Sequence, residues 1–98
     1  MQAEHSQAVY TASSNYILRD IAGESILVSI GPGVADFCGV VVLNESAKIL
    51  WTTLLGGATP GELAAALVQA FQISLVQAQA DVEETLSILM ERGMVQYA

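Results

Sequence analysis

The residue types that most often carry out catalysis are scarce in this chain. Its sole histidine, His5, lies in a polar opening segment, where it is not expected to be held rigidly against a serine or cysteine nucleophile. Its sole cysteine, Cys38, has no fixed basic partner nearby, so a half-buried structural thiol is expected instead of a nucleophile. The sequence therefore predicts no catalytic residue and no enzyme.

Two further segments could bind a metal or a phosphate, and neither has the required pattern. Asp81, Glu83 and Glu84 are interpreted as a solvated helix face, because neighbouring carboxylates on a helix point about 100° apart. The segment Gly31-Pro32-Gly33 has no lysine after it and is followed by the acidic Asp36, so it is interpreted as a turn. We expect no metal and no organic cofactor.

The composition favours one small folded domain that avoids polyanions. The 98 residues are 53% hydrophobic and 13% charged, which is ample for a compact core. Three basic residues stand against ten acidic ones, for a formal net charge of -7. Because phosphate backbones and anionic lipids repel such a surface, neither nucleic acid nor a membrane is an expected partner.

Location in the cell follows from what the sequence lacks. A single cysteine cannot form an internal disulfide, and the first fourteen residues have no apolar core of a signal peptide. The longest apolar stretch, residues 63–71, is about half of the ~20 residues that a spanning helix needs. We expect a cytoplasmic protein.

The strands are expected early in the chain. Residues 1–15 are polar and without period, and predict a flexible tail before a domain at residues 16–98. Residues 16–21 and 24–30 flank Ala22-Gly23 and predict a hairpin, in which Ile26 and Val28 share one face and Ser25 and Ser29 the other. Residues 40–43 predict a third, short strand.

Three helices are expected to follow, each with a capping residue. Asn44 caps the first, Thr59 and Glu62 form a capping box for the second, and Ser74 and Gln77 form one for the third. Their predicted apolar stripes are Ala47, Leu50, Trp51 and Leu54; Leu63, Ala66, Leu67, Ala70 and Phe71; and Leu75, Ala78, Val82, Leu86 and Leu89. The predicted fold is α+β and winged-helix-like, with a three-stranded antiparallel sheet followed by three helices.

The third strand is the candidate binding edge. In a three-stranded meander the middle strand is the second, so the first and third strands have free edges. The first carries Arg19 and Asp20, whereas Val40, Val41, Val42 and Leu43 include neither charge nor proline. That edge favours pairing with a foreign peptide strand. The alternative is that the tail or a second copy of the chain covers it.

The third helix supplies the candidate opposite wall. Ile88 lies about 120° from Val82 around the helix and cannot share its buried stripe. Asp81, Thr85 and Arg92 lie on the same side as Ile88 and could form with it a mixed wall that faces the third strand. A solvated flank with one incidental isoleucine is the alternative.

Several segments of the chain resemble a known family. They are Tyr16-Ile17-Leu18-Arg19-Asp20-Ile21-Ala22-Gly23-Glu24, Val41-Val42-Leu43-Asn44-Glu45, Ile49-Leu50-Trp51, Thr59-Pro60-Gly61-Glu62-Leu63, Ala80-Asp81-Val82 and Leu89-Met90-Glu91-Arg92-Gly93-Met94-Val95. Together they resemble the PqqD-like peptide chaperones, also called precursor-peptide recognition elements, over residues 16–95.

The resemblance implies a non-catalytic adaptor. It implies a groove between the third strand and the third helix, where the leader segment of a ribosomally made precursor peptide adds as a further strand. It also implies a partner enzyme that modifies the peptide, expected to be a radical SAM maturase.

A winged-helix DNA-binding regulator and a structural homodimerisation module are the competing functions. The third helix would give a DNA-binding regulator only one cation, Arg92.

Overall fold

The computed structural model describes residues 8–29 and 40–98 and confirms the predicted α+β fold. The strands are β1 Tyr10–Ala12, β2 Tyr16–Ile21, β3 Glu24–Ser29, β4 Val40–Leu43 and β5 Val95–Tyr97, and the helices are α1 Glu45–Leu54, α2 Pro60–Phe71 and α3 Leu75–Glu91. The predicted strands correspond to β2, β3 and β4. The predictions for His5, Cys38 and Gly31-Pro32-Gly33 fall outside the described residues.

The sheet has the order β2-β3-β4, with both neighbouring pairs antiparallel. The β2–β3 hairpin closes through Ala22 and Gly23, whose φ angles are 54° and 84°. Two residues with positive φ make the type I′ turn, whose twist matches that of the two strands it joins. The turn therefore fixes a register that pairs Ile21 with Glu24 and Tyr16 with Ser29.

One face of this sheet packs on the helices. Leu27, at the middle of β3, is 0% exposed, and its partners Leu18 and Val41 pack on the same core. Leu27 belongs to the face that carries Ser25 and Ser29, while Ile26 and Val28 lie half-buried on the other face. The buried members of the core are Tyr16, Leu27, Leu50, Trp51, Leu54, Ala58, Leu63, Ala64, Leu67, Ala78, Val82, Leu86, Leu89, Met94 and Val95.

Trp51 anchors α1 in this core, as its place on the first apolar stripe predicts. It is 1% exposed, and its ring meets that of Tyr16 edge to face, with centroids 6.4 Å apart. Within residues 8–29 and 40–98 its indole N–H finds no hydrogen-bond acceptor. The tryptophan therefore serves as packing between α1 and β2 and not as an exposed stacking surface.

The helix caps follow the sequence with one exception. The Asn44 side chain accepts a hydrogen bond from the Ala47 N–H at 2.8 Å, and Thr59 and Glu62 form both bonds of a capping box. Ser74 accepts from the Gln77 N–H at 3.1 Å, but the Gln77 side chain donates to Asp81. The third capping box is therefore only half formed.

The ends of two helices are more exposed than their stripes predict. Leu75 is 55% exposed, and Ala70 and Phe71 are also exposed. These residues lie on either side of the α2–α3 turn, where the helix ends extend past the core. The apolar periodicity extends into these end turns, but no other part of the described structure buries the apolar residues there.

A short ribbon differs from the expected flexible tail. Tyr10–Ala12 pairs antiparallel with Val95–Tyr97, and Tyr10 also exchanges two backbone hydrogen bonds with Ala58, at 2.8 and 2.9 Å. The Tyr10 and Tyr97 rings lie 4.9 Å apart, and the side-chain hydrogen bond between the two residues, with some burial, raises the pKa of Tyr10. Strands of three residues are too short to show a period, which is why neither was predicted.

No helix in the two described ranges is both long and apolar enough to cross a membrane.

Truncating the central core residue should destabilise the fold. Leu27→Ala is expected to lower the free energy of unfolding by about 2–5 kcal/mol, because it leaves a cavity between the sheet and the helices. Ile21→Ala, at an exposed position of the same hairpin, is the matched control and should change it little. Denaturant titration measures both, and equal effects of the two substitutions would contradict the assignment of the core.

Candidate functional site

The free edge of β4 lies at the margin of the sheet. Because β3 is the central strand, β4 has a ladder partner on one side only among the described residues. Its sequence is Val-Val-Val-Leu, without the lysine or proline that often blocks pairing at an edge. Within the described residues, β4 therefore has a row of backbone donors and acceptors without a ladder partner.

The hairpin register determines which residues of β4 direct those groups outward. In a two-residue hairpin the closing pair, here Ile21 and Glu24, exchanges both hydrogen bonds, and bonded pairs then alternate along the strands. Ser25 and Leu27 consequently direct their backbone groups toward β4, where they pair with Leu43 and Val41. The N–H and C=O of Val42 point away from the sheet.

The side chains of β4 divide between the two faces. Val41 and Leu43 are half-buried and pack against the core, whereas Val42 is 61% exposed on the opposite face. An added strand would contact the half-buried pair on the side of the helices.

The structure places the four predicted α3 residues along its length. Asp81 and Thr85 are half-buried, Ile88 is 44% exposed, and Arg92 is exposed at the C-cap. A cleft of about 370 Å³ brings Asp81 together with Asn44, which directly follows β4. Thr85, Ile88 and Arg92 are not part of its lining, so their position opposite β4 stays a prediction.

The cleft contains residues that the sequence did not point to. Its walls are formed by the start of α1, the end of α2 and the first half of α3, and its lining is Asn44, Glu45, Ser46, Leu67, Phe71, Ile73 and Asp81. The sequence pattern assigns Leu67 and Phe71 only to a buried stripe. The one sequence feature that could have indicated the cleft is that this apolar stripe extends to the last turn of α2.

Glu83 lies away from this cleft. It lines a different one, of about 300 Å³, with Pro60 and Gly61 at the start of α2. The two acidic residues, Asp81 and Glu83, thus face different surfaces of α3, as their spacing predicts. Glu83 is therefore a suitable position for control substitutions.

A polar cluster also lies near the carboxyl end of β4, in a cleft separate from the one that contains Asp81. The Asp20 carboxylate accepts a hydrogen bond from the Ser25 hydroxyl at 2.8 Å and lies 3.4 Å from the Lys48 ammonium. The Ser25 hydrogen bond, followed by the Lys48 charge, lowers the pKa of Asp20. These residues line a further cleft, of about 530 Å³, that also includes Val42 and Leu43.

Metal and acid–base chemistry find little support in this arrangement. Residues 8–29 and 40–98 contain no group of three His, Cys, Asp or Glu side chains placed to hold a metal ion. The Ser25 hydroxyl donates to the exposed Asp20 carboxylate, but the lowered pKa of Asp20 makes that carboxylate a weak base for activating a nucleophile. What the site offers is an open strand edge that ends at two clefts.

The chain is similar to proteins of one family. A family model described as "Coenzyme PQQ synthesis protein D (PqqD)" matches residues 24–95. Among solved structures, that of TbiB1 in complex with the TbiA(beta) leader peptide matches with a TM-score of 0.71 and 16% identity, over 88% of this chain and 94% of that chain. No curated protein matches. The structural likeness supports the fold described above.

The polar cluster gives a prediction for the titration of Asp20. Its carboxylate should titrate below its ordinary pKa, so its contribution to stability is complete above that ordinary value and is lost as pH falls through the lowered one. Ser25→Ala and Lys48→Met should each raise the midpoint, the serine variant more. Carboxyl NMR titration measures this, with Ser46→Ala as control, and unchanged midpoints in both variants would refute the assigned contacts.

Proposed function

The chain belongs to the PqqD family, and from this premise we propose that it binds the leader segment of a ribosomally made precursor peptide and presents it to a modifying enzyme. The observation that carries the proposal is the open edge of β4, where Val42 directs its backbone N–H and C=O away from the sheet. An extended peptide that pairs there gains main-chain hydrogen bonds irrespective of its sequence. TbiB1, whose fold this chain shares, has been solved with a leader peptide bound.

The proposed groove lies between β4 and α3. Its floor is the edge formed by Val40, Val41, Val42 and Leu43, and its wall is formed by Asp81, Thr85, Ile88 and Arg92. The half-buried position of Val41 and Leu43 and the partial exposure of Ile88 support contacts with apolar leader side chains. Backbone pairing would then supply affinity and the wall would supply selectivity.

The proposed role is that of an adaptor without catalysis of its own. The recognition domain is proposed to span residues 16–98, and the enzyme that acts on the presented peptide is proposed to be a radical SAM maturase. The family membership supports an adaptor, and the scarcity of catalytic residue types agrees with it. Mass spectrometry of a leader peptide incubated with this chain alone tests that part of the proposal.

Two other uses of the fold are less well supported. DNA binding requires cations on a recognition helix, whereas α3 carries Asp81, Glu83, Glu84 and Glu91, and Arg92 stands only at its C-cap. Pairing of two copies through β4 is favoured by the same open edge. Light scattering with and without the leader distinguishes self-pairing from peptide binding, because a dimer that pairs at β4 must dissociate when the peptide binds.

Removing one outward donor should weaken leader binding. Val42→Pro deletes the N–H that points away from the sheet and leaves the pairs of Val41 and Leu43 with β3 in place. Titration with the leader of the precursor peptide encoded beside this gene should show a loss of about 1–3 kcal/mol, the cost of an unpaired buried partner. Val41→Pro is unsuitable because it removes a ladder bond within the fold.

The matched control is Val42→Ala, which shortens the same side chain and keeps the N–H. It should bind more tightly than Val42→Pro, provided that both variants melt cooperatively. A folded Val42→Pro variant that binds the leader as the parent does would place the peptide on another surface.

A charge on the proposed wall should also weaken binding. Ile88→Glu puts a carboxylate on the flank of α3 where an apolar contact is proposed, and a loss of at least ~1–3 kcal/mol is expected if the contact is buried by the leader. Glu83→Ala, at the other cleft, should bind nearly normally. If the two variants are folded and bind equally, the wall does not include this flank of α3.

A further inference from the structure

We infer that the cleft past the carboxyl end of β4 selects leaders in which an aliphatic or aromatic side chain stands one or two positions from a lysine or arginine. The inference rests on the proposed leader binding and adds the chemistry of the segment that is recognised. It joins three observations: an apolar floor, carboxylates at the rim, and the position of the cleft at Asn44, the residue that directly follows β4.

The floor of the cleft is apolar and of limited size. Leu67 is fully buried, Ile73 is half-buried against the core, and Phe71 is 37% exposed at the end of α2. The volume of about 370 Å³ lies near the small end of the ~300–1,000 Å³ range of ligand sites. It suits one or two side chains rather than a folded partner.

The rim of the cleft carries negative charge. Asp81 is half-buried and accepts one hydrogen bond, from the Gln77 amide at 2.9 Å, which leaves the carboxylate charge uncompensated. Glu45 is exposed, and no cation contacts its carboxylate within the part of the chain that the structure describes. Each carboxylate can therefore accept a charged hydrogen bond from a bound peptide.

The charge extends around the end of β4. Glu45 also lines the larger cleft, where Asp20 and Glu24 add two more carboxylates. Among the described residues, Lys48 is the one cation that lines either cleft, and its ammonium lies 3.4 Å from the Asp20 carboxylate. The potential where a bound strand would enter or leave is consequently negative, and it complements a lysine or arginine.

The alternation of a strand explains why two kinds of side chain are expected near each other. Successive side chains of a strand added to β4 point to opposite faces of the sheet. One face continues into the apolar cleft beside Phe71, and the other, which carries Val42, continues toward Glu24. Since Glu45 lines both clefts, a cation can reach it from either face, at one or two positions from the apolar anchor.

Selection from a phage-displayed library of random peptides on the full chain tests this inference without knowledge of the natural leader. The parent should enrich sequences that combine an aliphatic or aromatic residue with a nearby lysine or arginine. The double variant Glu45→Gln/Asp81→Asn should lose the basic residue and keep the apolar one, because the amides retain the shape and remove the charge. Glu83→Gln removes one charge from α3 at another cleft and should select as the parent does.

Direct titration of a selected peptide gives the magnitude. Its affinity should fall at least about tenfold on Glu45→Gln/Asp81→Asn, with a weaker dependence on salt. Phe71→Ala should cost a similar factor, whereas Val76→Ala, at a position of α3 outside this cleft, should cost little. The single variants Glu45→Gln and Asp81→Asn, each checked by melting, replace the double variant if that one does not fold.

The outcomes separate this inference from the proposed strand addition. A peptide that loses affinity on Val42→Pro but binds Glu45→Gln/Asp81→Asn like the parent overturns the cleft inference and leaves strand addition intact. The reverse pattern supports the cleft and overturns pairing at β4. An enriched set without basic residues, or one unchanged in the double variant, also overturns the inference.

Discussion

The burial of Leu27 between the sheet and the helices determines which way the backbone groups of β4, the proposed binding edge, point. The side chains of a strand alternate in direction, so a slip of β3 by one residue would bring Ile26 or Val28 to the helices and Leu27 to the opposite face. The two-residue turn at Ala22-Gly23 allows only one register for β2, and Leu27 holds that register against the core. The direction of every backbone group of β4 follows from it.

The same constraint connects the core with the proposed site. Val41 packs its half-buried side chain against the core and pairs its backbone with β3, so its backbone groups are not available to an external strand. Val42, one position later, has an exposed side chain, and its backbone groups point away from β3. A strand of four residues thus pairs with β3 through one half of its backbone groups and leaves the other half for the proposed peptide. The requirement for packing also preorganises the edge, which lowers the entropic cost of adding a peptide.

Much of this fold could be predicted from local signals. The capping residues Asn44 and Thr59 and the turn at Ala22-Gly23 act within a few residues, and they set the helix starts and the hairpin correctly. Two features depended on contacts distant in sequence and were missed. The ribbon pairs residues near the two ends of the chain, and the cleft brings Phe71 next to Glu45, so neither has a pattern within any one segment. The buried face of β3 was ambiguous because both of its faces carry apolar residues.

An open strand edge can pair with the same edge of another copy, and the negative charge near β4 opposes such pairing. β4 carries none of the charged residues that usually discourage pairing between identical edges. The carboxylates lie instead at its end, on Glu45 and Asp81, within a chain of net charge -7. Two copies that approach through β4 would each carry this net negative charge and repel one another, whereas a cationic peptide would be attracted to the end of the strand. Negative charge placed beside the edge rather than on it thus disfavours self-pairing and leaves the strand free for a partner of the opposite sign.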